Sequence, residues 1–378
     1  MKIAVAGAGP AGLYFSLLMK KRFPGYQITI YEQNPAGATY GWGVVFSDVA
    51  LGFLQQADEA FYQKFTAGHE RCGHMEVVHK DTRVQLRNNH FSRVARIDLL
   101  RVLQDECLQA GVEIRFDTRL EDVSQLGDHD LIVAADGGNS AIRTRYAEHF
   151  KPSFEKRRNK FAWYGTRQLF HAVSLLFRET EHGVFIAHSY QYSKDLSTFL
   201  IEVDPDTWRR AGLDAMSDED SRHYCEQVFA PDLGSNGLLS NRSIWFSANI
   251  VSNESWTHEN IVLLGDALRT VHFSLGSGTR MAMQDAIALY EGFVAHGRDV
   301  PAAFAAFEAA RRHSSSNFQT AAARSLDWYE TIGTKMDLDP VSFAYDYMRR
   351  TGRVSHEDLK RRDPDFVARY EALNGTPA

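Results

Sequence analysis

The stretch Lys2-Ile3-Ala4-Val5-Ala6-Gly7-Ala8-Gly9-Pro10-Ala11-Gly12 reads as a strand, a glycine turn and the opening of a helix. Residues 2–6 are short and apolar, residues 11–21 carry helical spacing, and residues 27–31 alternate with β-branched side chains, which together make a βαβ unit. Each glycine then has a task. Gly7 permits the tight turn, Gly9 lets a pyrophosphate approach the backbone, and Gly12 lets the helix pack closely on the sheet. The helix N-terminus turns N–H groups and positive dipole toward the phosphates. Glu32 stands 20 residues after Gly12, at the end of the second strand. A carboxylate there accepts hydrogen bonds from ribose hydroxyls and would repel a 2′-phosphate. The expectation is a dinucleotide site that includes Gly7, Gly9, Ala11, Gly12, Glu32 and Gln33. The fingerprint alone does not separate FAD from NAD.

Outward from this unit, a Gly-rich loop at 37–43 precedes an amphipathic helix at 98–109, which ends at Gly111. Strand-like runs at 112–116 and 130–135 return the chain to the same sheet. From 161 to 203 the character changes. Runs at 172–177, 184–192 and 197–203 alternate Thr, Val, Phe and Tyr, which predicts a second, mixed or antiparallel sheet. A short apolar strand at 261–264, a Gly-rich turn and a helix at 279–296 then resume the first pattern, so the first domain is discontinuous. Residues 301–329 are Ala- and Arg-rich and helical, and a helical tail follows. The predicted fold class is α/β, with a Rossmann-like cofactor domain (1–72, 96–155 and 258–300), an inserted mixed β-sheet substrate domain (73–95 and 156–257) and a C-terminal helical region (301–378).

A chain of 378 residues with 44% hydrophobic content can bury a sizeable core. Its formal charge of −6 provides no global attraction to nucleic acid or to an anionic membrane, so a small-molecule partner is expected. Cys72, Cys107 and Cys225 are too scattered for a disulfide framework or a Cys-x-x-Cys metal site, and no metal is expected. With no export pattern and no long apolar run, the reading is a cytoplasmic enzyme.

Two further motifs discriminate between cofactors. One is Ala134-Ala135-Asp136-Gly137-Gly138-Asn139-Ser140-Ala141-Ile142-Arg143; the other is Leu264-Gly265-Asp266-Ala267, continuing through Gly276-Ser277-Gly278-Thr279 to Asp285-Ala286. With the fingerprint, in this order, they resemble the flavoprotein monooxygenases related to para-hydroxybenzoate hydroxylase. That resemblance implies FAD as cofactor, NADH or NADPH as a transient donor with no domain of its own, and molecular oxygen as co-substrate. It implies that Asp136 and Gly137 touch FAD and the donor, that Asp266 binds the ribityl or ribose region, and that Arg96, in Arg-Ile-Asp-Leu-Leu, contacts the flavin. Gly41 belongs to the same implied site. Gly276, Gly278 and Thr279 would place amides and a helix N-terminus at the pyrimidine end of the ring, where they stabilise negative charge. The implied reaction is aromatic hydroxylation through a flavin C4a-hydroperoxide, ortho or para to a hydroxyl or amine.

The chain departs from the general family after Gly-Asp-Ala, where many relatives have Pro and this sequence has His272-Phe273-Ser274. It resembles instead a subgroup that contains anthraniloyl-CoA and salicylyl-CoA hydroxylases and a tryptophan-pathway hydroxylase of violacein biosynthesis. The supporting matches are Gly41-Trp42-Gly43-Val44-Val45-Phe46-Ser47-Asp48, Arg158-Asn159-Lys160, Trp163-Tyr164-Gly165-Thr166, Glu181-His182-Gly183, Ala187-His188 and Ser197-Thr198-Phe199. An aryl-CoA thioester hydroxylated at its 5-position is implied. The alternatives are a tryptophan- or indole-derived substrate and a flavin-binding module without turnover.

Candidates for proton handling are His188, Tyr190 and His272, and for substrate contact Trp42, Tyr164 and Tyr192. Period two places His188, Tyr190 and Tyr192 on one face of a strand, where they line a cavity or else pack in the core. Lys151, Lys156, Arg157, Arg158 and Lys160 form a basic cluster, either a receiver of CoA phosphates or a solvated loop.

Overall fold

The strand Lys2–Ala6 runs through a six-stranded sheet between Gln27–Tyr31 and Leu131–Ala134, parallel to both. The computed structural model that shows this describes residues 1–39, 41–47, 51–241, 243–272 and 275–376. Glu113–Arg115 and Ile261–Leu263 extend the sheet in parallel, and Thr257–His258 closes one edge antiparallel. Leu131–Ala134 and Ile261–Leu263 are buried at every position, as expected of parallel strands covered on both faces. The helix Pro10–Arg22 packs against Arg96–Ala110 and Gly278–His296. Its close seat depends on glycine: a β-carbon on Gly12 would stand 2.3 Å from the Gly7 carbonyl oxygen, and one on Gly7, at φ +97°, 2.4 Å from that of Ala135.

The second layer is a nine-stranded sheet among the described residues. Its order is Leu238–Leu239, Pro152–Thr166, Ser197–Val203, Gly183–Gln191, Val173–Thr180, Glu70–His79, Thr82–Ala95 and Gly43–Ser47, with Phe246–Asn253 also paired to Pro152–Thr166. Glu70–His79 and Val173–Thr180 pair in parallel, and the other pairings are antiparallel. One face buries Tyr164, Phe185, Phe199 and Ile201 with Cys225 and Phe229 of the segment that carries the helix Asp218–Val228. The opposite face buries Val77, Phe177 and Ile186 against Tyr329, Phe343 and Phe366 of the C-terminal helices. Val300–Glu330, 31 residues long, packs on Gly278–His296 before its last turns reach this second sheet.

Three of the crossings between layers are short straps, while residues 32–42 separate Gln27–Tyr31 from Gly43–Ser47. Thr82–Ala95 runs directly into the helix Arg96–Ala110, only Lys151 separates Ala147–Phe150 from Pro152–Thr166, and residues 254–256 separate Phe246–Asn253 from Thr257–His258.

The expected division needs correction in two places. Gly43–Ser47, assigned to the first layer, pairs with Thr82–Ala95 in the second. The second layer also begins at Pro152 rather than at 156, because residues read as a basic loop are the solvent-exposed first half of a 15-residue strand. No helix among the described residues is long and apolar enough to cross a membrane.

Candidate functional site

Between the layers lies a cleft of about 560 Å³, a size that suits a small-molecule or cofactor site. Gly9, Pro10 and Ala11 line it beyond the carboxyl end of the first strand, beside Ala135 and Gly137. Asp266 and the residues 276–279 continue this wall. Facing them are Trp163, Leu175, His188, Tyr190 and Leu200 of the second sheet, and Tyr347, Arg350, Thr351 and Val354 complete the boundary from the C-terminal helices. Ligands of open α/β sheets collect outside the carboxyl ends of the strands, as here.

The fingerprint end leaves a helix N-terminus open to the cleft. The helix Pro10–Arg22 has Gly9 at its N-cap, no side-chain cap and no acidic residue in its first turn, so its amides are not spent on a carboxylate. A β-carbon on Gly9 would meet nothing within 4 Å, and the open space in front of it is the cleft. Glu32 stands beside this turn, accepting from the Ala8 amide at 2.8 Å and from the Asn34 amide at 2.8 Å. Gln33 is exposed and Gly41 packs beside the Trp163 ring. Asp266 is solvent-accessible yet ringed by protein, because it opens only into the cleft; burial raises its carboxyl, and the charges of Arg96 and Arg269 oppose that rise. Arg96 lines the same cleft, at the joint between strand and helix. Asp136 itself does not line the cavity. Its Oδ2 accepts from the amides of Ala141 and Ile142, at 2.8 and 3.3 Å, and so shapes the loop that presents Gly137. An open helix N-terminus, a carboxylate beside it, and Arg96 and Asp266 lining the same cleft fit a flavin dinucleotide.

Side-chain alternation decides the other wall. On Pro152–Thr166, Trp163 faces the cleft and donates from Nε1 to Thr198 Oγ1 at 2.6 Å. Tyr164, one residue on, is fully buried in the opposite core, so its assignment to substrate is corrected by the pleat. Trp42 packs over Gly165 and donates to the Trp163 carbonyl at 3.2 Å, which places it behind the lining rather than in it. Tyr192 is likewise outside the lining, buried against the backbone of Gly43. His188 and Tyr190 do line the cleft. Tyr190 donates its hydroxyl to the Gly43 carbonyl at 2.9 Å, and burial raises its pKa. His188 Nε2 lies 3.0 Å from Glu202 Oε2, and Glu202, with no exposed surface, also accepts from Asn159 Nδ2 at 2.7 Å. His272 lies behind Phe161, 1% exposed and outside the lining; burial, then His188 and Arg157, push its pKa down to about 3, so its ring is neutral. Phe273, Ser274 and Asp48, from the quoted motifs, lie outside the described residues.

The basic cluster does not hold together. Arg157 pairs with Glu155, Asp327 and Glu330, Lys151 with Glu254, and Lys160 sits over the Trp208 ring at 4.9 Å. These three are struts and surface contacts, while Lys156 and Arg158 are exposed on the strand Pro152–Thr166.

A family model described as "FAD binding domain" matches residues 1–317, most of the chain and all of the cofactor wall. The chain is a FAD-dependent monooxygenase of this family. The monooxygenase is 37% identical to a salicyloyl-CoA 5-hydroxylase from a Streptomyces species, over 98% of this chain and 73% of that one. It is 36% identical to the protodeoxyviolaceinate monooxygenase of Chromobacterium violaceum, over 93% and 94%, and 32% identical to a 3-hydroxy-4-methyl-anthranilyl-[aryl-carrier protein] 5-monooxygenase of Streptosporangium sibiricum, over 95% and 97%. Among solved structures it shares its fold with p-nitrophenol 4-monooxygenase of Pseudomonas putida, at a TM-score of 0.74 and 16% identity, covering 100% of this chain and 98% of that one. FAD is its cofactor, and NADH or NADPH is the usual donor of the family.

Several residues of the monooxygenase's site were given no role from the sequence, although Asn159, Arg143 and Asp285 stand in the quoted motifs. Glu202 and Asn159 are 43 residues apart and meet only through strand pairing. Arg143, quoted in a motif but given no role, is 1% exposed and donates to the carbonyls of Ala267, at 3.0 Å, and Gly138. It stitches the two cofactor loops together. Asp285 receives Arg269 and Arg311, each at 2.7 Å, and so locks the turn after Asp266 to two helices.

Proposed function

We propose that this monooxygenase hydroxylates an ortho-hydroxy- or ortho-aminobenzoyl group carried as a coenzyme A thioester, at the ring position para to the hydroxyl or amine. The observation that carries the proposal is the His188–Glu202 pair set in a mostly apolar wall. Glu202 accepts the Nε2 proton, which fixes the tautomer and leaves Nδ1 able to take a proton from a ligand. A phenol or aniline that loses its proton to Nδ1 as the ring is attacked becomes the stronger electron donor, and the Glu202 side chain, hydrogen-bonded to the far side of the ring, holds the imidazole in place. Bound FAD supplies the redox chemistry, taking reducing equivalents from the nicotinamide and activating oxygen. The chain's own groups do the rest: Trp163, Leu175 and Leu200 exclude water and hold the ring, while Arg96 and Asp266 set the cofactor. Two of the relatives are named for ortho-substituted benzoyl groups on a thioester carrier, which supports the substrate class.

The test is turnover of purified holoenzyme with NADH or NADPH on salicyloyl-CoA, anthraniloyl-CoA, the free acids and an indolic panel, with products located by mass spectrometry and NMR. The expected result is a 5-hydroxy thioester formed in step with reductant consumption. Equal kcat/KM on the free acids, or product only from an indole, would overturn the thioester assignment.

A further inference from the structure

Three arginines with no carboxylate partner among the described residues meet where the C-terminal helices border the cleft. Arg280 is the third residue of Gly278–His296, whose first two residues line the cleft. Its Nε is buried without a hydrogen-bond partner, and burial, then the like charges of Arg353 and Arg311, lower its pKa. Arg353 sits in the turn after Pro340–Arg349, between Thr351 and Val354 of the cleft wall, with its guanidinium 5.9 Å from the Phe318 ring centroid. Arg324 rests on the same turn, since a β-carbon on Gly352 would lie 2.3 Å from its Nη1. Arg350 lines the cleft beside them, braced 3.9 Å over the Tyr347 ring and donating to Ser325 Oγ at 3.0 Å. Asp285, which pairs with Arg311, is already shared with Arg269.

Other partly buried guanidinium groups are met by carboxylates, as at Arg157 and Arg178, or by backbone carbonyls, as at Arg93 and Arg143. Gathering guanidinium groups without counter-ions costs Coulomb energy unless an anion joins them. Planar, forked donors at a cavity mouth match phosphate in particular. Arg324, on Val300–Glu330, and Arg353, in the turn at 350–354, belong to a different part of the boundary from Gly9, whereas Arg280 follows Gly278 and Thr279 of the cofactor wall.

We propose that Arg280, Arg324 and Arg353 form an anion-binding rim for the phosphate groups of a nucleotide-bearing thioester, whose aromatic end lies in the cleft against His188. The proposal rests on the thioester reading above, and it assigns to this rim the role that the dispersed 151–160 cluster does not fill. Phosphates of the nicotinamide donor share the same chemistry, so the experiment separates the two sources.

Coenzyme A, 4′-phosphopantetheine, pantetheine, NADH and NADPH are titrated by calorimetry into holoenzyme and into the Arg280→Gln, Arg324→Gln and Arg353→Gln variants, with flavin content measured for each. The expected result is coenzyme A affinity weakened on the order of tenfold per arginine, the loss of a charge-assisted hydrogen bond. Flavin content, pantetheine binding and nicotinamide binding stay unchanged. Unaltered coenzyme A affinity, equal affinity for 4′-phosphopantetheine and coenzyme A, or weakening confined to NADH or NADPH would each overturn the rim. Should Arg280→Gln lose flavin, the exposed Arg353 variant decides. Arginine-dependent coenzyme A binding without thioester turnover would defeat the hydroxylation reading and leave the rim standing; turnover with unchanged KM in the variants would do the reverse.

Discussion

His188→Gln separates proton transfer from architecture. Glu202 has no exposed surface, and its two oxygens are committed to Asn159 Nδ2 at 2.7 Å and His188 Nε2 at 3.0 Å. Removing the donor outright would strand a buried carboxylate, at about 1–3 kcal/mol or more. A glutamine amide can still donate to Glu202, so the stability cost should stay near one ordinary hydrogen bond, about 1 kcal/mol. What glutamine cannot do is accept a proton at the position of Nδ1. General bases contribute about 10²–10⁴-fold, so product formation should fall at least about 100-fold, equivalent to about 2.7 kcal/mol of barrier. Flavin content and the rate of flavin reduction by the nicotinamide are expected to be unchanged. The assay is single-turnover product formation beside steady-state reductant consumption, and the expected signature is reductant oxidised without matching product. A variant that keeps the wild-type kcat and the wild-type ratio of product to reductant would refute the assignment of His188 as proton acceptor.

Asp266→Ala removes a charge that shares the cleft with Arg96, and should weaken FAD by about 1–3 kcal/mol in equilibrium binding to the apoprotein; unchanged affinity in a folded variant would remove Asp266 from the site. Trp163→Ala should raise KM for the aromatic substrate with a modest loss of stability, whereas Tyr164→Ala, a fully buried ring, should cost about 3–5 kcal/mol in denaturant unfolding, and the reverse pattern would contradict the pleat. His272 has a folded pKa lowered from 6.5 to about 3, so the unfolded chain binds the extra proton first, and stability is intact above pH 6.5 and lost as pH falls below it. The slope, about 1.4 kcal/mol per pH unit between pH 4 and 6, should shrink by that amount in His272→Asn, as read from urea midpoints across pH. Arg157→Gln should loosen the last turn of Val300–Glu330 and lower the melting temperature without changing KM for a CoA thioester; a selective rise in that KM would restore the cluster as a phosphate site.

The cofactor wall was legible because glycine geometry is local. A turn at Gly7, an open approach at Gly9 and a close helix seat at Gly12 can each be read within six residues, and Arg96 and Asp266 followed from family motifs whose spacing travels with the fold. Strands with distinct composition were equally plain, and Ser197–Val203 falls where its alternation predicted. The substrate wall was legible only in part: period two brought His188 and Tyr190 to the cleft, but the rest was hidden for reasons of sheet physics. Pro152–Thr166 is buried on both faces at its second half, so Trp163 and Tyr164 carry no polar–apolar alternation that would say which one turns inward. The first half of the same strand carries a consecutive run of charges, Glu155 to Arg158, which read as a loop. Glu202 lies in a fully buried strand and has no local pattern at all; its partners arrive from two neighbouring strands. The arginines of the rim sit far apart in the chain and converge only when the C-terminal helices dock.

The short straps between layers constrain how ligands come and go. At Arg96 there is no linker to bend: the last residue of a nine-stranded sheet's strand is followed at once by the first turn of a helix in the other layer, and the Arg96 amide is tied to the Trp42 carbonyl at 2.9 Å. One residue separates the layers at Lys151 and three at 254–256. Hinge closure needs a few residues free to absorb large φ/ψ changes, and these joints provide almost none. Room for exchange of nicotinamide, oxygen and product is therefore to be sought in the parts of the cleft boundary that no sheet strand carries, among them the C-terminal turn at 350–354.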